Sequence, residues 1–405
     1  MATTLERNLV WYARLRLLER AFVWLPVGFL YFQSRFGLDG ALRLSGLYYL
    51  AVVVMEVPSG WLSDRFGRVR TLRLSALWLL AAHLLFVGGD SFLAFAVAQS
   101  LVAASFAFRS GTDVALHFDT REALGSTAAF ESTEARISRN AYMVTTGAAL
   151  VGGALGTVDL RLPFAVAAVL ALGQLAITLV LTEPPRALTT QRLLSQVGRC
   201  FAYMRRPMLA WLFFYVVVQI TLEHLSVELG QPYVAELLGE SADELQSTPL
   251  YVGVLLAAVA LIGSMSASQA VPMRRSLGLI GALVVLAGIE VVIAVALAAA
   301  VSWFVVPLLA LRSVQPAMAN VLIPSAVSPL VAAEHRATYL SLGSLGGRLG
   351  YGALLLALGT TEDFTTVRHI VGMVAVVIMV TIVATAPIAR RDVTRDGLED
   401  APSDA

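Results

Sequence analysis

Ionisable side chains lie inside apolar stretches of this chain, where the interior of a bilayer would surround them. A charged group at the centre of a membrane span costs about 2.5–3.5 kcal/mol, so each one needs a partner or a function. Buried carboxyl groups can carry protons, and arginines can bind an anionic group of a substrate. The candidates for proton or substrate binding are Glu19, Arg20, Glu56, Asp113, Glu223, Glu290, Arg312 and Arg348.

Two pairs are expected among these groups. At about 1.5 Å per residue, Glu290 lies about 13 residues into its apolar run and Arg312 about 9 residues into the next, so both reach mid-depth. Such a pair is either structural or part of a proton or substrate site. In the first half, Glu19 could pair with Arg16, which precedes it by one helical turn. Arg348 is flanked by glycines and could bind an anionic substrate group or a carboxylate.

The residue types that build enzymatic and metal sites are scarce. The five histidines include no His-x-x-x-His pair, and the single cysteine, Cys200, excludes an intramolecular disulfide and a cysteine-based metal cluster. There is no lysine, and therefore no phosphate-binding Gly-x-x-x-x-Gly-Lys loop. His-Glu-x-x-His and Gly-x-Ser-x-Gly elements are missing as well. We expect no enzymatic activity, no cofactor and no metal site.

The elements that position the charged groups are membrane helices. Apolar residues make up 58% of the chain and charged residues 14%, with a mean hydropathy of +0.75, which excludes an ordinary soluble protein. The apolar runs are continuous, as in helices, and do not alternate, as barrel strands would. Each of twelve runs suits a span of about 20 residues. The predicted spans are 9–33, 42–62, 70–89, 92–116, 139–158, 163–182, 208–230, 250–270, 277–300, 303–327, 337–358 and 367–388.

The distribution of arginine predicts the orientation in the membrane. Arginines cluster after spans 2, 6, 8 and 12, whereas the opposite loops carry few and one is acidic. The positive-inside rule therefore places both termini in the cytoplasm of a multi-pass protein of the inner (cytoplasmic) membrane. The first apolar run carries charges and is too long for a cleavable signal peptide. The net charge of +1 argues against a nucleic-acid partner.

Residues 183–206 divide the chain into two halves of six spans each. We expect an N-terminal bundle at 1–182, a cytoplasmic linker at 183–206, a C-terminal bundle at 207–390 and a disordered cytoplasmic tail at 391–405. Apolar residues at helical spacing predict an amphipathic helix from Thr189 to Tyr203 in the linker, although a plain linker is the alternative. The equal halves suggest a parallel internal repeat. In that repeat Gly263 would match Gly60, and Ala267 would match Asp64.

A short charged loop joins spans 2 and 3 and reads Gly60-x-x-x-Asp64-Arg65-x-Gly67-Arg68-x-Arg70. In a chain of six plus six spans, it resembles the loop motif of the major facilitator superfamily. The resemblance implies that Asp64 contacts the start of span 11, near residues 336–338, and that Arg68 pairs with Asp119 or, as an alternative, with Asp113. These contacts would form a gate that holds the halves together in one state. The alternative is that the charges only fix the topology.

Two further stretches resemble bacterial efflux members of that superfamily, namely residues 56–60 and 108–113. The Gly-Pro pair of the family's antiporter motif is missing from span 5, and an arginine expected in the middle of span 4 is missing too. We predict a monomeric secondary transporter of a small molecule in the lipid bilayer, working by proton-coupled efflux of an amphipathic compound. The alternatives are proton-coupled or facilitated uptake of an organic anion or nutrient, and a non-transporting receptor or scaffold.

Overall fold

The computed structural model describes residues 2–185, 193–241 and 244–395, and within these ranges the regular structure is entirely helical. This confirms the predicted all-α fold. Three short 3₁₀ turns, at Thr127–Ala129, Ala267–Gln269 and Leu311–Ser313, join some of the helices. The α-helices are α1 (Ala2–Glu19), α2 (Gly28–Phe66), α3 (Arg68–Gly88), α4 (Phe92–Arg109), α5 (Thr112–Ala123), α6 (Phe130–Gly156), α7 (Leu162–Val180), α8 (Leu193–Tyr203), α9 (Pro207–Leu238), α10 (Thr248–Ser266), α11 (Ala270–Ala299), α12 (Val305–Ala310), α13 (Val314–Val327), α14 (Ala333–Leu358) and α15 (Phe364–Arg395).

Among the described residues, 8 segments are long and apolar enough to cross a bilayer. They cover nine of the twelve predicted spans, because the segment Thr248–Ala299 contains two of them. The other three predicted spans overlap α1, α6 and α14, each of which carries several charged residues. The helices therefore follow the predicted order, and the amphipathic linker helix is present in part as α8. Residues 186–192 and 396–405 lie outside the described ranges.

The first predicted span is not one continuous helix. Helix α1 ends at Glu19, the chain turns through residues 20–27, and α2 begins at Gly28. Pro26 has no N–H to donate, and neighbouring groups form short-range turn bonds instead, such as Leu25 N–H to Phe22 O at 3.1 Å. Helix α2 then bends at Gly37, where φ is 73°, and continues through the second predicted span. Discontinuous helices of this kind often mark binding sites in transporters.

The helices group into two compact units. Unit 1 comprises Met1–Thr190, Val234–Ala260 and Gly352–Glu362, and unit 2 comprises Gln191–Tyr233, Leu261–Tyr351 and Asp363–Ala405. In unit 1, α4 packs against α2 and α3, and α7 packs against α3. In unit 2, α11 packs against α13 and α15. Glycines of α14 let it approach α9, since a Cβ at Gly347 would lie 2.9 Å from Val217 O.

Within unit 1, helix α6 meets the beginning of α10 backbone to backbone. A Cβ added to Gly153 would lie 2.6 Å from Pro249 O, and one added to Gly253 would lie 2.6 Å from Ala149 O. The glycines of the fifth predicted span thus permit close helix packing. A second contact links α2 to the end of α14, where Arg43 Nε donates to Gly359 O at 2.8 Å.

Two glycines with similar backbone conformations bear on the register of the predicted internal repeat. Gly67 (φ 108°, ψ 151°) precedes α3, and Gly278 (φ 68°, ψ 169°) precedes the segment of α11 that ends at Ala299. The same sequence offset separates Gly67 from Gly278 and Gly88 from Ala299. The predicted match of Gly263 with Gly60 has a different offset, so these two backbone turns favour another register for the predicted repeat. In the register of the two turns Arg275 takes the position of Asp64, so the second copy lacks the acid in either register.

Candidate functional site

The charged loop between α2 and α3 is tightly built. Gly67 adopts a φ of 108°, which glycine tolerates and other residues rarely adopt. The next two backbone N–H groups, of Arg68 and Val69, donate to the two carboxylate oxygens of Glu183 at 2.7 and 2.9 Å. An anion at a helix N-terminus satisfies free N–H groups and complements the helix dipole. Sequence reasoning missed Glu183, although it directly precedes the prolines that follow α7.

Arg68 connects three helices of unit 1. Its Nε lies 3.5 Å from Asp119 Oδ2 on α5, and its Nη1 donates to Ser63 Oγ on α2 at 2.9 Å. The structure thus brings together the pair that the motif implies, while Asp113, the alternative partner, lies with Arg16 instead.

The rest of the motif is placed as follows. Arg65 and Arg70 are exposed. Gly60 and Asp64 lie in the last turns of α2, and the side chain of Asp64 is outside the part of the chain that the structure describes. The expected contact of Asp64 with residues 336–338 therefore stays a prediction.

A buried charge cluster lies where α1 ends. Arg16 Nη1 lies 3.3 Å from Glu19 Oε2 and also binds Asp113 Oδ2 at the start of α5. Both acids are 4% exposed. Arg109 acts on Glu19 electrostatically as well, and Arg20, which is exposed, interacts electrostatically with the same groups. Two buried acids thus share one directly bonded arginine, an arrangement in which the net charge of the cluster changes with each proton bound or released.

A second buried network adjoins this cluster. The Tyr12 hydroxyl on α1 donates a hydrogen bond to Glu134 Oε1 on α6 at 2.7 Å, and His117 Nδ1 on α5 lies 2.6 Å from the same oxygen. The rings of Tyr12 and His117 stack with centroids 4.6 Å apart. Arg121 Nε donates to His117 Nε2 at 3.1 Å. Sequence reasoning missed this network, because the α5–α6 region falls between predicted spans 4 and 5.

In unit 2, Glu290 and Arg312 do not form the expected ion pair. Arg312 lies in the 3₁₀ turn Leu311–Ser313 and donates from Nη1 to Ser226 O on α9 at 3.1 Å. Glu290 is 1% exposed, and neither of its carboxyl oxygens has a hydrogen-bond partner among the described residues. Glu223 and Arg312 act on Glu290 only through longer-range electrostatics.

The remaining candidates occupy separate places. Glu56 on α2, Glu223 on α9 and Arg348 on α14 are each half-buried. A cavity of about 400 Å³ lies between α1 and α6, and its wall contains Arg14, Arg121 and Arg136 beside apolar side chains. Among the described residues, no group of three His, Cys, Asp or Glu could hold a metal ion.

Comparison with known proteins identifies the family. The sequence pattern of the Major Facilitator Superfamily matches residues 18–355, which is most of the chain. The chain belongs to the major facilitator superfamily. It is therefore a multi-pass membrane protein with a transporter fold, as the loop motif implied. A search of curated proteins finds no match.

Solved structures of transporters share this fold at low sequence identity. The nucleoside transporter NupG is 14% identical, with a TM-score of 0.74 over 93% of this chain and 98% of that chain. A peptide transporter POT in complex with sulfate is 15% identical, with a TM-score of 0.70 over 95% of each chain. A bacterial homologue of the human lysosomal transporter Spinster, inward-facing and unoccupied, is 14% identical, with a TM-score of 0.68 over 99% of each chain.

Proposed function

We propose that this superfamily member is a proton-coupled secondary transporter that exports an amphipathic small molecule across the inner membrane by alternating access. The observation that carries the proposal is the carboxyl group of Glu290 in unit 2, which is 1% exposed and has no hydrogen-bond partner among the described residues. An ionised carboxylate buried without a partner is costly, whereas a protonated carboxyl group is tolerated. Glu290 would therefore bind a proton when enclosed and release it when the cycle opens it to water.

The cluster at the end of α1 supports the same proposal from unit 1. Glu19 and Asp113 share Arg16, so protonation of either acid changes how strongly α1 is held to α5. Helix α1 ends at Glu19, so this cluster lies at the break between α1 and α2. We assign Glu19 and Asp113 as the second candidate proton site.

The charged loop between α2 and α3 would act as the gate. Arg68 and Asp119 tie α3 to α5, and Glu183 holds the first turn of α3. In this proposal Asp64 binds the start of span 11 in one state and leaves it in the other. Arg65 and Arg70, which are exposed, would keep this loop on the cytoplasmic side.

The test is proton movement in sealed vesicles of known orientation that contain an internal pH dye. Pools of cationic, neutral and anionic compounds are added in turn to the wild type, to Glu290→Gln and to Glu362→Gln. The last variant is the matched control, because Glu362 is an exposed acid outside the apolar spans. We expect proton flux opposite to a cationic or neutral compound, lost in Glu290→Gln and kept in the control. Compound movement without proton flux in the wild type would refute the coupling.

A second candidate function is uptake of an organic anion. The observation in its favour is the cavity between α1 and α6, whose wall holds Arg14, Arg121 and Arg136. Neither Arg14 nor Arg136 forms an ion pair with another described residue. In the vesicle assay this function would appear as proton flux in the same direction as an anionic compound.

A further inference from the structure

His117 is a buried histidine of unit 1 that has charged neighbours. Its side chain is 1% exposed. In the described part of the chain, the titratable and charged groups that face it are Glu134 from α6, Tyr12 from α1 and Arg121 from its own helix. The Phe130 ring packs against the imidazole, with the two ring centroids 5.0 Å apart. Helix α3 also packs against α5, but its Arg68 meets Asp119 instead.

Hydrogen-bond chemistry fixes the protonation state of this imidazole. The Arg121 guanidinium has donors only and stays charged in proteins. Because Arg121 Nε donates to His117 Nε2 at 3.1 Å, that nitrogen must present a lone pair. The one ring proton is therefore on Nδ1, which donates to Glu134 Oε1 at 2.6 Å. The arrangement is possible for a neutral imidazole with this tautomer and for no other form.

A proton added to Nε2 would remove the lone pair that Arg121 needs. Two N–H groups would then point at each other, and two cations would face each other at the same separation. The imidazolium would keep its bond to the Glu134 carboxylate, which favours the charged ring. Arg121 would have to leave, and its side chain already lines the 400 Å³ cavity between α1 and α6.

We propose that His117 is a proton-binding site of the transport cycle, and that a proton bound at Nε2 breaks the hydrogen bond from Arg121 and displaces this guanidinium towards the open cavity that it lines. This inference rests on the proposed proton coupling. It adds a proton site at the junction of α1, α5 and α6, separate from Glu290. It also gives the bound proton a mechanical effect, because Arg121 otherwise holds His117 and Thr133 together, donating from Nη2 to Thr133 Oγ1 at 2.9 Å.

The experiment is a ¹⁵N NMR titration of histidine-labelled full-length protein in lipid nanodiscs. Only five histidines are present, so the signals of His117 are assigned by their loss in His117→Gln. We expect the Nδ1–H tautomer at high pH and protonation of Nε2 as the pH falls. In Arg121→Leu, which removes the competing donor and its charge, the proton affinity of His117 should rise by about tenfold or more.

Matched variants and a flux assay decide the outcome. Arg139→Leu removes an exposed arginine of α6 and should leave the titration unchanged. An Nε2–H tautomer at neutral pH, or a His117 titration that is unchanged in Arg121→Leu, would overturn the proposal. In vesicles, an unchanged pH profile of proton flux in His117→Gln would refute the role in transport and leave the proposed coupling standing. Normal titration with no proton flux in the wild type would instead refute the coupling.

Discussion

The contact between Gly67 and Glu183 allows a quantitative test by a double-mutant cycle. A Cβ at Gly67 would lie 2.8–3.0 Å from the carboxylate atoms of Glu183, so Gly67→Ala must push this carboxylate away from the N-terminus of α3. The same change forces alanine into a φ of 108°. Glu183→Ala removes the carboxylate directly and leaves the Arg68 and Val69 N–H groups to water.

The expected magnitudes follow from these two effects. Backbone strain in Gly67→Ala costs about 1–3 kcal/mol. Loss of a helix-capping side chain costs about 0.5–2 kcal/mol, and because Glu183 is exposed we expect about 1 kcal/mol for Glu183→Ala. In the double variant the carboxylate is already displaced, so the cost of Glu183→Ala should fall close to zero. The coupling free energy is then about 1 kcal/mol.

The assay is the free energy of unfolding, measured by denaturant titration in detergent micelles for the wild type, both single variants and the double variant. Gly88→Ala is the matched control, because Gly88 ends the same helix and a Cβ there would meet no atom within 4 Å. Its effect should add to that of Glu183→Ala within about 0.5 kcal/mol. If the effects of Gly67→Ala and Glu183→Ala also added within about 0.5 kcal/mol, the contact between Gly67 and Glu183 would be refuted as the cause of the coupling.

Two further predictions concern unit 1. Gly253→Val should separate α6 from α10 and lower the free energy of unfolding by about 1–3 kcal/mol, because its Cβ would lie 2.6 Å from Ala149 O. Thermal unfolding checks this. The control variant is Gly147→Ala, whose Cβ would meet no atom within 4 Å. Burial raises the pKa of Glu240, but hydrogen bonds from the backbone N–H groups of Ser247, Thr248 and Gln246 outweigh burial, so the net pKa is below its ordinary value. The stabilisation from Glu240 is therefore complete at neutral pH and lost as the pH falls through that lowered pKa. Unfolding measured against pH should show this loss in the wild type and none in Glu240→Gln.

The sequence predicted the helices and the loop between α2 and α3 well, because both depend on local pattern. Continuous apolar runs give the order of the helices, and the charged motif lies at the start of α3; the contact of Arg68 with Asp119 was implied by the resemblance to the superfamily and not by local pattern. The pairing of Glu290 with Arg312 failed for a physical reason. Counting depth assumes an unbroken helix, whereas Arg312 lies in a 3₁₀ turn between α12 and α13, and its guanidinium donates to Ser226 O.

Contacts that depend on chain reversals could not be predicted from the pattern. His117 meets Glu134 because the chain turns between α5 and α6 at Gly125, where φ is 65°. In the sequence this stretch is a polar connection between two apolar runs. Glu183 reaches α3 because α7 returns beside it, a packing relation that no local spacing encodes.

The contact of Gly153 with Gly253 has an entropic consequence. Ordering a long side chain at an interface costs up to about 2 kcal/mol in lost rotamer freedom. Glycine has no rotamers, so α6 and α10 meet here without that cost and could separate without recovering it. At these two residues the free energy of the contact therefore depends on the fit between the two backbones, and side-chain rotamer entropy contributes nothing to it.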